Sequence, residues 1–359
     1  MSNICFLIGN ISHSGGTERV TTIIANELAK ENQQVHILSL SGTGSPFFEQ
    51  HQNIINSSLF TTNVSMRRHF FSVIAKIRKY LTEHQIDTLV VVDSISCVFT
   101  VPACLGLKIN HICWEHFNLK VNLGSQFRNL GRWMAAKWCT RIVTLTERDK
   151  IFWDKKFNLT SSKKVIAIAN PSPYPLQNNL PALSNKNILC VGRLTYQKGF
   201  DLLIPAWAKI ADQLPSWKVT IVGSGEDEQM LKQMAYNLGV AESIIFAGQQ
   251  KDMDPFYRNA SFFCMSSRFE GLPMVLLEAQ SYGLPIVAFD CDTGPAEIIR
   301  NDENGYLVEN FNIQDFSRNI LKMMTLRKED WHNFITHSND NAENFKIEKI
   351  ISQWYKVFN

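Results

Sequence analysis

Asn187-Ile188-Leu189-Cys190-Val191-Gly192-Arg193-Leu194-Thr195-Tyr196-Gln197-Lys198-Gly199 is the stretch on which the fold turns. Its compact apolar run, over 187–194, reads as a strand buried on both faces, the kind that builds parallel sheets. A turn with two glycines and two cations follows. Over 200–214 apolar residues return at helical spacing, and Pro205 is expected to kink that helix or confine it to its first turns. Strand, glycine-bearing turn and helix together open a doubly wound unit. The strand signal recurs over 219–222, 244–246, 262–265 and 286–289, and 226–238 reads as a helix closed by Gly239.

Upstream, the same pattern has already run once. Residues 4–8 form an apolar strand, and Val20, Ile23, Ile24 and Leu28 then recur at helical spacing. Further strands are expected over 35–40, 88–92, 111–114 and 141–145. Between the two runs, 170–185 holds Pro171, Pro173, Pro175 and Pro181 without periodicity, which marks a linker. The expectation is an α/β protein of two Rossmann-like doubly wound domains, over 1–170 and 186–346, joined through 171–185. Ligands of such folds bind in a cleft at the carboxyl ends of the strands. A closing helix over 347–358 carries Ile347, Ile350, Ile351, Trp354 and Val357 on one stripe.

Composition agrees with this organisation. The 359 residues suit two cores better than one, and 45% hydrophobic with 19% charged residues is ordinary for a globular chain. No apolar run is long enough to span a bilayer, and the start lacks the basic region and cleavage site of a signal peptide. The cysteines at 5, 97, 104, 113, 139, 190, 264 and 291 form no CxxC pair, so they are expected to be reduced core residues of a cytoplasmic protein, without disulfides or a zinc cluster. Charge is uneven. Residues 1–170 hold 19 basic against 11 acidic side chains, and 171–359 hold 17 against 22. A basic first half implies an anionic partner: a membrane surface, nucleic acid or a phosphorylated acceptor.

Four segments carry chemistry. In the first, Glu270-Gly271-Leu272-Pro273 precedes a helix that Pro273 suits at its first position, so backbone N–H groups there would offer an anion site. Glu270 sits at its mouth and Glu278 lies further along. Both could accept hydrogen bonds from hydroxyls of a sugar nucleotide, or be a surface charge and a solvated or paired helical glutamate. In the second, Arg193 and Lys198 lie on the loop after a strand, where two cations stabilise a leaving diphosphate or are solvated. In the third, Gly15 and Gly16 follow the first strand. They permit close approach to a phosphate, although the string is neither GxGxxG nor a Walker loop. In the fourth, His116 ends a strand in Trp114-Glu115-His116, where it could bond a sugar hydroxyl or be structural. Asp252-Met253-Asp254 and Asp290-Cys291-Asp292 are DxD strings read as loop carboxylates, and no required metal is expected.

In order and spacing these segments resemble the family 4 glycosyltransferases of the GT-B fold, with Gly223 in Val222-Gly223-Ser224-Gly225, Phe246-Ala247-Gly248 and Thr293-Gly294-Pro295 completing the match. The subgroup making exopolysaccharide, capsule and O-antigen of lipopolysaccharide is the most similar. The resemblance implies a retaining transferase using a UDP-sugar and no cofactor. It implies that Arg193 and Lys198 clamp the donor diphosphate and that Glu278 holds the ribose. Glu270 with Gly271, Leu272 and Pro273 would hold the transferred sugar, and Gln249 and Met253 would lie at the base. Gly15 and Gly16 would approach the diphosphate, and His116 the sugar. The helix over about 347–359 would cross back onto the first domain. The acceptor is expected to be a glycan on a polyprenyl diphosphate, at the inner face of the cytoplasmic membrane.

Two basic stretches bear on that last point. In 66–80 and just beyond, Phe70, Ile74, Ile77 and Leu81 share one helical stripe, with Arg67, Lys76, Arg78 and Lys79 around it. Residues 120–138 hold Phe127, Arg128, Arg132, Trp133, Lys137 and Trp138. Such stretches could lie on an anionic membrane or pack on the domain's own sheet. No nucleic-acid-binding module is recognisable. The rival readings are a GT-B epimerase or phosphorylase and a non-catalytic partner subunit.

Overall fold

In a computed structural model, which describes residues 2–178 and 180–358, the apolar runs become two separate parallel sheets. The first joins β1 (Asn3–Ile8), β2 (Gln34–Ser39), β3 (Ile55–Ser58), β4 (Thr88–Val92), β5 (Asn110–Trp114), β6 (Arg141–Thr144) and β7 (Val165–Ala167) in the order β3-β2-β1-β4-β5-β6-β7. The second joins β8 (Asn187–Val191), β9 (Lys218–Val222), β10 (Ile244–Gly248), β11 (Phe262–Met265), β12 (Ile286–Asp290) and β13 (Gly305–Glu309) in the order β10-β9-β8-β11-β12-β13. Central strands such as Thr88-Leu89-Val90-Val91-Val92 are buried throughout, as expected where helices cover both faces. In each sheet the winding reverses once, between β1 and β4 and between β8 and β11. Loops that leave the carboxyl ends of those neighbouring strands diverge to opposite faces and leave room for a ligand.

The chain divides into two compact units. One is formed up to Pro173 together with the helix Ile347–Phe358, and the other is Tyr174–Lys346. The helix Ile347–Phe358 buries Ile350, Ile351, Trp354 and Val357 in the first unit. Trp354 meets Trp114 edge to face at 4.8 Å, Asn110 Nδ2 donates to the Val357 carbonyl at 3.1 Å, and the Tyr355 hydroxyl donates to Glu31 at 2.6 Å. Each of the four apolar side chains contributes about 2 kcal/mol by leaving water.

The structure answers several of the sequence expectations. Of the helix signal over 200–214, only the first turns form, as Phe200–Ala208 with Pro205 inside it, and a short 3₁₀ turn, Ala211–Gln213, follows. Pro273 is the N-cap of its helix rather than the first helical residue, and that helix is Met274–Ser281. The stripe of the helix Phe70–Glu83 faces inward: Val73, Ile77 and Leu81 are buried in the first unit's core, and Phe70 and Ile74 pack against it. All eight cysteines are free thiols, seven of them buried. Cys97, His111 and Cys139 converge, with Cys139 Sγ 3.7 Å from His111 Nδ1, while the other ring nitrogen meets Thr100 Oγ1 at 3.0 Å. The imidazole thus has a protein partner on both sides.

Candidate functional site

In the second unit the winding reversal brings together two segments 72 residues apart. The loop after β8 carries Gly192, Arg193 and Lys198, and the loop after β11 carries Ser266 to Pro273. Lys198 Nζ donates to Glu270 Oε1 at 2.7 Å, with both side chains largely shielded from solvent. Glu270 is fixed from a third side, where the buried Thr293 hydroxyl donates to its carbonyl at 2.6 Å. A cation and a carboxylate are therefore held ready at the carboxyl edge of the sheet. There the ammonium can meet a phosphate oxygen and the carboxylate can accept from a hydroxyl.

Beside this pair, the turns after β8, β9 and β10 are bonded in a row. The Gly192 N–H donates to the Val222 carbonyl at 3.0 Å, and that of Gly223 to the Gly248 carbonyl at 2.9 Å. Gly223 has φ of 144°, and a Cβ there would run into the Gly192 carbonyl, so the position requires glycine. Arg193 is exposed on its loop, and Gln249 is exposed just beyond β10. Met253 is half-buried and caps the short helix Asp254–Arg258.

Glu278 is buried within the helix Met274–Ser281, and its Oε2 accepts from the Tyr257 hydroxyl at 2.6 Å. Tyr257 stacks on Tyr282 at 5.0 Å, and the Tyr282 hydroxyl donates to Asp254 at 2.8 Å. This tyrosine relay was missed from sequence, where nothing links 257 and 282 to the glutamate. It also occupies one DxD carboxylate, since Asp254 further accepts from Arg258 at 2.7 Å.

The first unit holds the remaining candidates at the carboxyl edge of its own sheet. Gly15 is the N-cap of the helix Gly16–Lys30, and both glycines are exposed. Beyond β4, Asp93 adopts φ of 82°, a strained conformation for a residue with a side chain. Its Oδ1 accepts from Arg128 Nη1 at 2.5 Å and from the Ile95 N–H at 3.1 Å. Glu115 is wholly buried, accepting from Ser94 Oγ at 2.6 Å, Arg132 Nε at 2.8 Å and the Phe117 N–H at 3.1 Å. Arg132 completes the knot by donating to the carbonyls of Leu119 and Asn118, each at 3.0 Å.

Arg128 and Arg132, read above as part of a basic face, are therefore internal cations, drawn in by the buried Glu115 and the partly buried Asp93. The exposed large apolar side chains of that stretch are Leu123, Leu130, Trp133 and Trp138, and Lys120 and Lys137 are exposed beside them. The two indoles meet edge to face at 5.1 Å, and Lys137 Nζ lies over both.

His116 is buried, with its ring 4.4 Å from that of Trp114. Burial pushes its pKa down to about 4, so the imidazole is neutral at pH 7, and its Nε2 has no hydrogen-bond partner among the described residues. Asp149 shares this region. Its Oδ1 accepts from the Leu119 N–H at 2.7 Å, and burial, helped by the charge of Glu115, lifts its pKa to about 7.

Comparison with known proteins places these features. Residues 14–171 match the family described as Glycosyltransferase Family 4, and 177–339 match Glycosyl transferases group 1. The chain is 38% identical to an uncharacterized glycosyltransferase of Haemophilus influenzae over 99% of both chains. It is 31% identical to the amylovoran biosynthesis glycosyltransferase AmsD of Erwinia amylovora over the full length of both. Among solved structures, the lipopolysaccharide outer core galactosyltransferase WaaB in its apo form aligns with a TM-score of 0.79 at 20% identity, covering 99% of this chain and 98% of that one. Matched in both halves and along its whole length, the chain belongs to the family 4 glycosyltransferases of the GT-B fold.

Proposed function

We propose that this chain transfers a hexose or N-acetylhexosamine from a UDP-sugar to a glycan carried on a polyprenyl diphosphate, with retention at the anomeric carbon and without a metal, in the assembly of a bacterial surface polysaccharide. The observation that carries the reading is the Lys198–Glu270 contact at the winding reversal of the second unit. The named function of the amylovoran relative supports the pathway class.

In this reading Lys198, with Arg193, neutralises charge developing on the departing diphosphate. Glu270 and the backbone of Gly271, Leu272 and Pro273 hold the sugar. Glu278 takes the ribose hydroxyls, and Gln249 and Met253 lie at the base. Gly15 and Gly16 present backbone N–H groups to the diphosphate, and the neutral His116 offers a nitrogen to a sugar hydroxyl. The bond from the anomeric carbon to the phosphate oxygen breaks as the bond to the acceptor oxygen forms on the same face. The acceptor proton passes to the departing phosphate oxygen. No covalent carboxylate takes part, so the paired-carboxylate logic of retaining glycosidases does not apply to Glu270.

We also infer peripheral contact of the first unit with an anionic membrane. No described helix is long and apolar enough to cross a bilayer. The supporting features are the basic charge of the first half and the exposed Trp133, Lys137 and Trp138.

The test is nucleotide release from a panel of nucleotide sugars in excess chelator, with and without lipid-linked glycan extract. Release from one UDP-sugar, raised by the extract and reduced about 10²–10³-fold in Lys198→Ala or Glu270→Ala, is expected. Interconversion of the free UDP-sugar, or turnover that needs phosphate and no extract, moves the assignment to an epimerase or a phosphorylase. Neither turnover nor nucleotide binding would leave a non-catalytic relative.

A further inference from the structure

The Lys198 loop has little regular structure of its own, only a single 3₁₀ turn, Tyr196–Lys198. Its three successive carbonyls are all engaged from the loop after β11. Arg268 Nη1 donates to the Tyr196 carbonyl at 2.7 Å, the Arg268 backbone N–H donates to the Gln197 carbonyl at 2.8 Å, and Ser266 Oγ donates to the Lys198 carbonyl at 3.1 Å. Gln197 returns one bond, from Nε2 to the Phe269 carbonyl at 3.1 Å. The guanidinium of Arg268 is itself locked. It donates both its terminal nitrogens to the two oxygens of Asp201, at 2.7 and 2.6 Å, and lies 4.0 Å over the Tyr196 ring. Asn310 Nδ2 holds the Arg268 carbonyl at 3.2 Å. Gly199, at φ of 65°, presses against the Ser266 carbonyl so closely that a Cβ would collide with it.

We propose that Arg268 and Asp201 are positioning residues, which act through the Tyr196–Lys198 turn to hold the Lys198 ammonium where the donor diphosphate departs. The proposal rests on the donor reading above. A lysine side chain has four rotatable bonds, and its value as a charge stabiliser depends on where its backbone is anchored. The planar Arg268 fork supplies that anchor. It spans the side chain of Asp201 and the carbonyl of Tyr196 at once, a geometry that an ammonium cannot reproduce. A shielded ion pair adds little net stability compared with apolar packing, and fixing one conformation is the use that remains for it.

The test is a double-mutant cycle read by calorimetric binding of UDP itself, the product that carries the clamped diphosphate. Arg268→Gln should weaken UDP binding about tenfold when Lys198 is present and less than about twofold in a Lys198→Ala background, because residues acting in series are not additive. Arg268→Lys should behave like Arg268→Gln, and Asp201→Asn should follow both. If Arg268→Gln does not fold, Arg268→Lys completes the cycle. Equal losses in both Lys198 backgrounds would overturn the positioning role and leave the donor reading standing. Unchanged UDP binding in Lys198→Ala alone would overturn both.

Discussion

Removing Arg132 should unbalance the first unit more than any surface substitution. Its side chain and that of Glu115 are wholly buried and meet at 2.8 Å. Arg132→Met keeps most of the volume but leaves the Glu115 carboxylate without its closest cation and removes the guanidinium donors to the Leu119 and Asn118 carbonyls, of which the latter still accepts from the Val121 N–H at 3.1 Å. Breaking a buried pair on one side costs about 3–5 kcal/mol, and the hydrogen bonds lost at the two carbonyls add to it. For a unit of this size that corresponds to a fall of about 6–20 °C in the midpoint of its own thermal transition. Differential scanning calorimetry gives the midpoint, and hydrogen exchange on peptides of β4 and β5 assigns the loss to the first unit. The double variant Glu115→Leu/Arg132→Met removes both charges and should recover at least half of the stability. A loss below about 1 kcal/mol in Arg132→Met, or a double variant as unstable as the two single losses added, would refute the reasoning.

Three further outcomes follow from the same geometry. Gly223→Ala forces a Cβ toward the Gly192 carbonyl at a φ that only glycine adopts readily, so UDP binding should weaken at least about tenfold; binding equal to that of the parent would show that the turn can shift. Asp149 titrates near pH 7 when folded and near 3.9 when unfolded, so the stability it contributes is complete below about pH 4 and is lost as pH rises to 7. The urea midpoint of Asp149→Asn relative to the parent should therefore rise between pH 5 and pH 8, and a pH-independent difference would exclude a raised pKa. The paired substitution Trp133→Ala/Trp138→Ala should reduce co-sedimentation with anionic vesicles at low salt, while failure of the parent protein to sediment would exclude direct membrane contact.

Where chemistry is local, the sequence was readable. The continuous apolar strands β4, β8, β11 and β12 announce themselves by composition, and the helix Ile347–Phe358 by an unbroken stripe. Short or half-buried strands carry no such signal: β3, Ile-Asn-Ser-Ser, is only partly buried and pairs at a sheet edge. The helix Ile313–Met324 was overlooked although its periodicity is strong, with Phe316, Ile320, Met323 and Met324 buried. The meeting of Lys198 with Glu270 follows from strand order, which a loop-by-loop reading only suggests. The partners of Glu278 and the fate of Arg128 and Arg132 could not be read at all. A buried arginine and a solvated one look alike in sequence, and only the position of Asp93 and Glu115 in space decides between them.

The helix Ile347–Phe358 also bears on how the protein is made. The residues that begin the first unit leave the ribosome early, yet the groove that receives Trp354 stays open until the whole of Tyr174–Lys346 has been synthesised. The second unit is contiguous in the chain and can close on its own contacts as it emerges. The order of completion is therefore the reverse of the order of synthesis. Until the closing helix arrives, the first unit must persist with Trp114 uncovered on one side, a window in which chaperone binding or aggregation would act on this half of the molecule alone.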